Sequence, residues 1–207
     1  MIKKTKTLNE NDFIQMEQRY RATFFNSIGG FKSLTLVGTI NKKKQTNLAV
    51  VSSVFHIGAN PPLIGMIFRP DSVERHTLEN ILETGQYTFN HVNENIFKQA
   101  HQTSARYPRE ISEFDACGLS PWYSEGLIAP YVEESNIKLG ITFAEKIDLK
   151  INGTVMLLGQ IKEVIVPENC LSTDGFVDLE KAETLTVSGL DAYHSTSFIT
   201  RLPYAKP

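Results

Sequence analysis

The sequence predicts a mainly β fold, an antiparallel barrel with short helices added between strands. Period-two patterning is the first observation behind this. Ile137, Leu139, Ile141, Phe143, Ile147, Leu149 and Ile151 all occupy odd positions with Glu145 as the interruption, which makes a long strand with one buried face. Asn152-Gly153 directly after that run is a strong hairpin signal, so residues 154–166 run back as the antiparallel partner until Pro167 stops them. Finally, at least six strand-like runs are joined by hairpin-type connections. A doubly wound nucleotide fold is disfavoured, because no GxGxxG follows a strand and no GxxxxGK[ST] occurs.

Taken in order, residues 11–25 carry Phe13, Met16, Tyr20, Phe24 and Phe25 at spacings of three and four, predicting one amphipathic helix ended by residues 26–30. Residues 33–40 form a strand, and the polar segment 41–45, with Lys42, Lys43 and Lys44 at a solvated tip, turns it into an antiparallel hairpin with 46–55. The Val, Ser and Phe content of 46–55 predicts a strand covered on both sides. Pro61-Pro62 ends the next loop, 63–68 is a second apolar strand, and Arg69-Pro70-Asp71-Ser72 breaks it. Leu78, Ile81 and Leu82 then recur at helical spacing, with Asp71 or Ser72 as N-cap and Gly85 as C-cap. Residues 86–91 are a strand, and 94–103 a short helix with Asn93 as cap and Ile96, Phe97 and Ala100 inward.

Residues 104–136 are irregular and rich in proline and aromatics, a length that suggests a functional or covering segment. Gly159 marks a bulge or a close backbone approach, 172–176 is a turn, and 183–187 the final strand. The whole chain reads as one domain: helix about 11–25, barrel about 33–190, tail 191–207.

Composition narrows the function. The 207 residues are 41% hydrophobic and 21% charged with a net charge of −2, which fits a soluble globular protein and argues against a nucleic-acid partner. Cys117 and Cys170 stand in no CxxC or Cys/His spacing, so neither a metal site nor a disulfide scaffold is expected, and a reduced compartment fits. No apolar stretch follows the basic N-terminus and no run is long enough to span a bilayer, so a cytoplasmic, membrane-free location is expected.

The polar residues around the helix after Pro70 carry the chemistry. A helix start presents open N–H groups and a partial positive charge, and Arg69, Arg75, His76 and Thr77 gather there as a candidate phosphate cradle. The alternative is that both arginines are solvated and Thr77 is an ordinary helix residue. His56, His91 and His101 lack metal-ligand spacing and read as structural, and Ser52 and Ser53 sit in no GxSxG elbow. Catalytic residues are left unassigned.

Several blocks in sequence order resemble the flavin reductase-like family of FMN-binding split barrels. They are Asn47-x-Ala49-x-x-Ser52 followed by Pro61-Pro62; Arg75-His76-Thr77-x-x-Asn80-Ile81 and the strand ending at Asn90; Thr103-Ser104-Ala105 with Tyr107-Pro108 and Phe114; and Gly189 to Tyr193. The family includes flavoredoxins and the reductase partners of two-component monooxygenases, and the similarity covers roughly residues 33–195.

The resemblance implies a Greek-key split barrel, a homodimer, and non-covalent FMN. Asn47, Leu48, Ala49, Val50, Val51, Ser52 and Ser53 would line the isoalloxazine ring. Arg75, His76 and Thr77 would hold the phosphate, where the helix start and Arg69 already suggest an anion site, and Asn90, Thr103 and Ser104 would lie near the ribityl chain or ring. Hydride would come from NADH or NADPH and pass to free flavin, another acceptor or a partner protein; the alternative is an electron-transfer protein of flavoredoxin type that never meets a nicotinamide. Lys32 either supplies positive charge near the ring or is a surface lysine, His194 is the candidate for a nicotinamide-side histidine, and Trp122 and Tyr123 either form a lid or pack on the barrel. Phe55 is core or a dimer contact. Val50 and His76 depart from the Pro and acidic residue common at these positions in the family.

Overall fold

The computed structural model describes residues 4–70 and 75–206. Helices α1 (Glu10–Gln15) and α2 (Gln18–Ile28) precede β1 (Lys32–Ser33), β2 (Thr35–Ile40), β3 (Thr46–Val51), β4 (Val54–Ala59) and β5 (Pro62–Phe68). Helix α3 (His76–Thr84) leads into β6 (Gln86–His91), followed by α4 (Phe97–Gln102), α5 (Glu113–Cys117), β7 (Pro121–Trp122) and β8 (Tyr131–Val132). The long hairpin β9 (Lys138–Leu149) and β10 (Thr154–Ile165) follows, then β11 (Thr186–Ser188) and β12 (Ala192–His194). Among the described residues no helix is long and apolar enough to cross a membrane.

Seven strands form one antiparallel sheet in the order β3-β2-β6-β9-β10-β5-β4. Its outermost strands, β3 and β4, are consecutive in the chain with only Ser52 and Ser53 between them. The sheet must therefore curl until its two edges meet, and the expected antiparallel barrel is what results. At the seam the Ile67 N–H donates to the Ser53 carbonyl (3.0 Å) and Ser33 Oγ to the Val54 carbonyl (3.1 Å).

Strand β2 is buried along its whole length because it has core on both faces. Val37 faces the barrel interior with Met66, Tyr87, Phe89, Ile141 and Leu157. Leu36 faces an outer cluster with Leu48, Val92, Ile96, Phe114 and Val187, which is covered by α4, α5 and the small sheet of β1, β11 and β12. Gly159 is both of the things expected of it: the β9–β10 register shifts there, and an added Cβ would stand 2.1 Å from the Tyr87 hydroxyl.

Several predicted elements are corrected. The strand predicted over 46–55 is two strands, because β3 pairs with β2 while β4 pairs with β5, and Ser52-Ser53 carries the chain from one sheet edge to the other. Cover is lost after the crossing, with His56 and Ile57 exposed. The helix over 11–25 is broken at Met16, which is extended, and Glu17 starts α2 by accepting from the amides of Arg19 and Tyr20; neither helix buries a residue.

The period-two run ends at Leu149, so Ile151 sits in the connection to Thr154 and is 95% exposed. The helix over 94–103 begins only at Phe97, since the Asn93 side chain instead closes a turn on the Asn95 amide. Leu82 is exposed, and Gly85 is the left-handed C-cap as expected, whereas the N-cap predicted at Asp71 or Ser72 lies outside the described residues and Arg75 holds the N-cap position. The last strand is not 183–187: Glu183 has positive φ, β11 starts at Thr186, and β12 follows within the predicted tail.

Candidate functional site

The seam opens into a cleft of about 920 Å³, within the range of small-molecule and cofactor sites. Asn47, Ala49, Val50, Val51, Ser52 and Ser53 line it from β3 and the crossing, Arg69 from the end of β5, Arg75, His76 and Thr77 from the head of α3, and Thr103 and Ser104 from beyond α4. Residues far apart in sequence thus converge because the barrel's two edges do.

Two predicted site residues do not reach the cleft. Leu48 is fully buried in the outer core and does not line the cleft. Asn90 is also fully buried, and its amide is engaged throughout: Nδ2 donates to the Leu36 carbonyl (3.2 Å) and Thr88 Oγ1 (2.9 Å), while Oδ1 accepts from the Val132 amide (2.9 Å). Its role is to bind β6, β2 and β8 together.

The β3 wall is held by side chains. As an outer strand it leaves alternate N–H groups without a strand partner, and those must be paired when buried. Thr103 Oγ1 accepts from the Val50 amide (2.9 Å) and donates to the Ala100 carbonyl (2.8 Å). Glu113 Oε2 accepts from the Leu48 amide (2.9 Å), and the hydroxyls of Thr46 and Ser112 are 2.7 Å apart. Asn47 Nδ2 donates to Thr77 Oγ1 (3.0 Å), which fixes β3 to α3 and leaves the Thr77 hydroxyl proton uncommitted among the described residues.

Positive charge concentrates here. Arg75 occupies the N-cap of α3 with no side-chain cap bond, and its Nε is buried without a hydrogen-bond partner among the described residues. Arg69, His76, His101 and Arg106 also line the cleft, against the carboxyl groups of Glu113 and Asp191. Burial pushes the Glu113 carboxyl above the usual carboxylate range, opposed by its bond to the Leu48 amide and by the nearby His76.

Sequence reasoning missed much of the far wall. His101 Nδ1 lies 2.5 Å from the Tyr193 hydroxyl, and the Tyr193 ring packs on Phe97, so β12 closes the cleft against α4. Glu113 and Arg106 carried no spacing signal, although Phe114 and Tyr107 beside them did. Lys32 is not a cleft residue: its ammonium donates to the Gly189 carbonyl (2.7 Å), and burial, then Arg69, lower its pKa. His194 bonds Ser188 Oγ through Nε2 (2.9 Å) and packs on Phe31 away from the cleft. Trp122 packs at a tilt against Tyr131, and neither it nor Tyr123 lines the cleft, so they form no lid over it among the described residues. Phe55 lies on edge strand β4 against Gly65.

Residues 31–180 match the sequence pattern of the flavin reductase like domain. The chain belongs to that family. Within it, the chain is 49% identical to a split-barrel flavin reductase candidate from Shewanella frigidimarina NCIMB 400, with a TM-score of 0.94 over 97% of this chain and 100% of that one. The flavoredoxin of Desulfovibrio vulgaris (Miyazaki F) shares the fold at 22% identity, with a TM-score of 0.73 over 84% of this chain and 92% of that one. So does an FMN-binding protein from Thermus thermophilus, at 16% identity and a TM-score of 0.69 over 84% and 91%. The split barrel of the flavin reductase family is thus the fold of this chain, and the cleft lies at its split.

Proposed function

We propose that the cleft holds FMN and that the chain is an oxidoreductase, passing electrons from NADH or NADPH to free flavin or another acceptor. The observation that carries this reading is the Arg75 guanidinium. It stands at the head of α3 in the cleft with Nε buried and unpaired among the described residues, and a phosphate oxygen is the acceptor that would complete it. Leaving such a group unpaired costs about 1 to 3 kcal/mol, so a site that keeps one is prepared for an anion. Arg69, His76 and the uncommitted Thr77 hydroxyl proton stand beside it.

The remaining wall suits a planar ring. Ala49, Val50, Ser52 and Ser53 have short side chains, which let a ring approach the backbone, and the bonds from Thr103 and Glu113 hold that backbone in place before a ligand arrives. FMN, when bound, supplies the hydride acceptance and electron release. The chain's own residues bind the phosphate, orient the ring and, through Tyr193 and Leu190, narrow the access of water. Family membership and the FMN-binding relative support the choice of flavin. The same reading takes the working unit to be a cytoplasmic homodimer whose acceptor is free flavin or a partner protein.

Titrating the purified protein with FMN and then supplying NADH or NADPH tests both halves. Quenched FMN fluorescence, followed by nicotinamide oxidation that depends on the bound flavin, is expected. Failure to take up FMN overturns the flavin reading. FMN uptake without nicotinamide oxidation points instead to an electron-transfer protein of flavoredoxin type, reduced by another protein.

A further inference from the structure

We propose that Glu113 is a ligand-binding residue of this cleft and acts as a carboxylic acid, donating its proton in a hydrogen bond to the anionic end of the ligand. This rests on the flavin reading and goes beyond it. Glu113 lines the cleft yet is only 6% exposed. Its Oε2 is engaged as acceptor from the Leu48 amide (2.9 Å), so the carboxyl is fixed in orientation by β3. Thr46 and Ser112, bonded one step earlier, anchor the start of its helix to the same strand. The side chain therefore cannot swing away when an anion enters beside Arg75, His76 and Thr77.

A buried, fixed carboxylate in a pocket for phosphate would repel its own ligand. A protonated one would add a donor, and the proton is the cheapest change available to a group that cannot move. Burial already favours the neutral form before any ligand is present, and the nearby His76 works against it. The other ionisable groups on the elements beside Glu113 are Arg75 at the head of α3, His101 on α4, Arg106 and Tyr107 on the following segment, all lining the same cleft, and Asp115 and Cys117 on its own helix. Strand β3 contributes none. In the proposed step one proton passes from bulk water to the Glu113 carboxylate as the ligand enters, and returns when it leaves; no other bond changes.

Calorimetric titration with FMN above neutral pH, in two buffers of different ionisation enthalpy, counts that proton. The wild-type protein should take up about one proton per FMN, and its affinity should fall about tenfold per pH unit once Glu113 is ionised in the free protein. Glu113→Gln keeps an acceptor for the Leu48 amide and a donor for the ligand, so it should bind FMN with a flat pH profile and without that uptake. Proton changes on the phosphate itself occur in both proteins and cancel in the difference. The infrared C=O band of a protonated carboxyl should also grow when FMN is added to wild-type protein, a readout that needs no substitution.

FMN binding without proton uptake, uptake that persists in Glu113→Gln, or no new carboxylic-acid band each overturns the inference while leaving the flavin reading intact. No FMN binding by the wild-type protein overturns the flavin reading, and this inference with it.

Discussion

At the scale of single residues, the site is defined by which polar atoms the fold leaves unpaired. Asn47, Asn90 and Thr103 were all legible as polar residues in the right blocks, but they end in different roles. Asn90 spends every hydrogen bond on the scaffold. Thr103 holds the wall, and Arg75 keeps a buried Nε with no partner among the described residues. Sequence cannot separate these cases, because whether a side chain is satisfied depends on atoms brought in from other strands. Arg75→Ala removes the charged donor without touching the β3 ties. It is expected to weaken FMN binding by about 1.5 to 3 kcal/mol, the usual worth of a hydrogen bond to a charged group. Fluorescence titration measures it, and an unchanged Kd would exclude Arg75 from the phosphate contact.

At the scale of elements, period and turn chemistry were readable and pairing partners were not. The β9–β10 hairpin follows directly from alternation and from Asn-Gly, and the β2–β3 hairpin from the polar segment 41–45; one of the two register shifts between β9 and β10 falls next to Glu145, where the pattern is interrupted. Residues 46–55 read as one strand because their composition never changes; the break at Ser52-Ser53 exists only because the sheet closes. The same closure makes β3 an outer strand that needs pairing from outside, which α5 and the end of α4 provide. Thr103→Val tests this dependence. The substitution keeps the shape but leaves the half-buried Val50 amide without its acceptor, at a cost of about 1 kcal/mol. A lower urea midpoint with an unchanged m-value is expected, and Thr103→Ser should restore most of it. A Val variant as stable as wild type would mean that the wall stands without this bond.

At the scale of the whole molecule, titrating groups on opposite sides of β2, the half-buried His91 and the buried Glu113, give the fold opposed pH dependences. His91, at the end of β6, lies 3.3 Å from Thr184 Oγ1 through Nδ1, and burial pushes its pKa down to about 4. The folded protein therefore binds fewer protons than the unfolded chain between that value and the ordinary histidine value of about 6.5. This contribution to stability is full above the upper limit and is lost as pH falls toward about 4. Glu113 acts in the opposite sense, since its pKa is raised: the stability it lends is present at low pH and is lost as pH rises through its folded value. The two slopes overlap in mildly acidic solution, so the wild-type profile alone cannot assign either. The difference between wild type and His91→Gln can. Subtracting the variant's unfolding free energy from that of wild type should give a curve that falls by on the order of 2 kcal/mol on acidification through that window, allowing for the ring's partial exposure. A flat difference would show that the ring takes up its proton inside the fold, with water or Thr184 accommodating the charge.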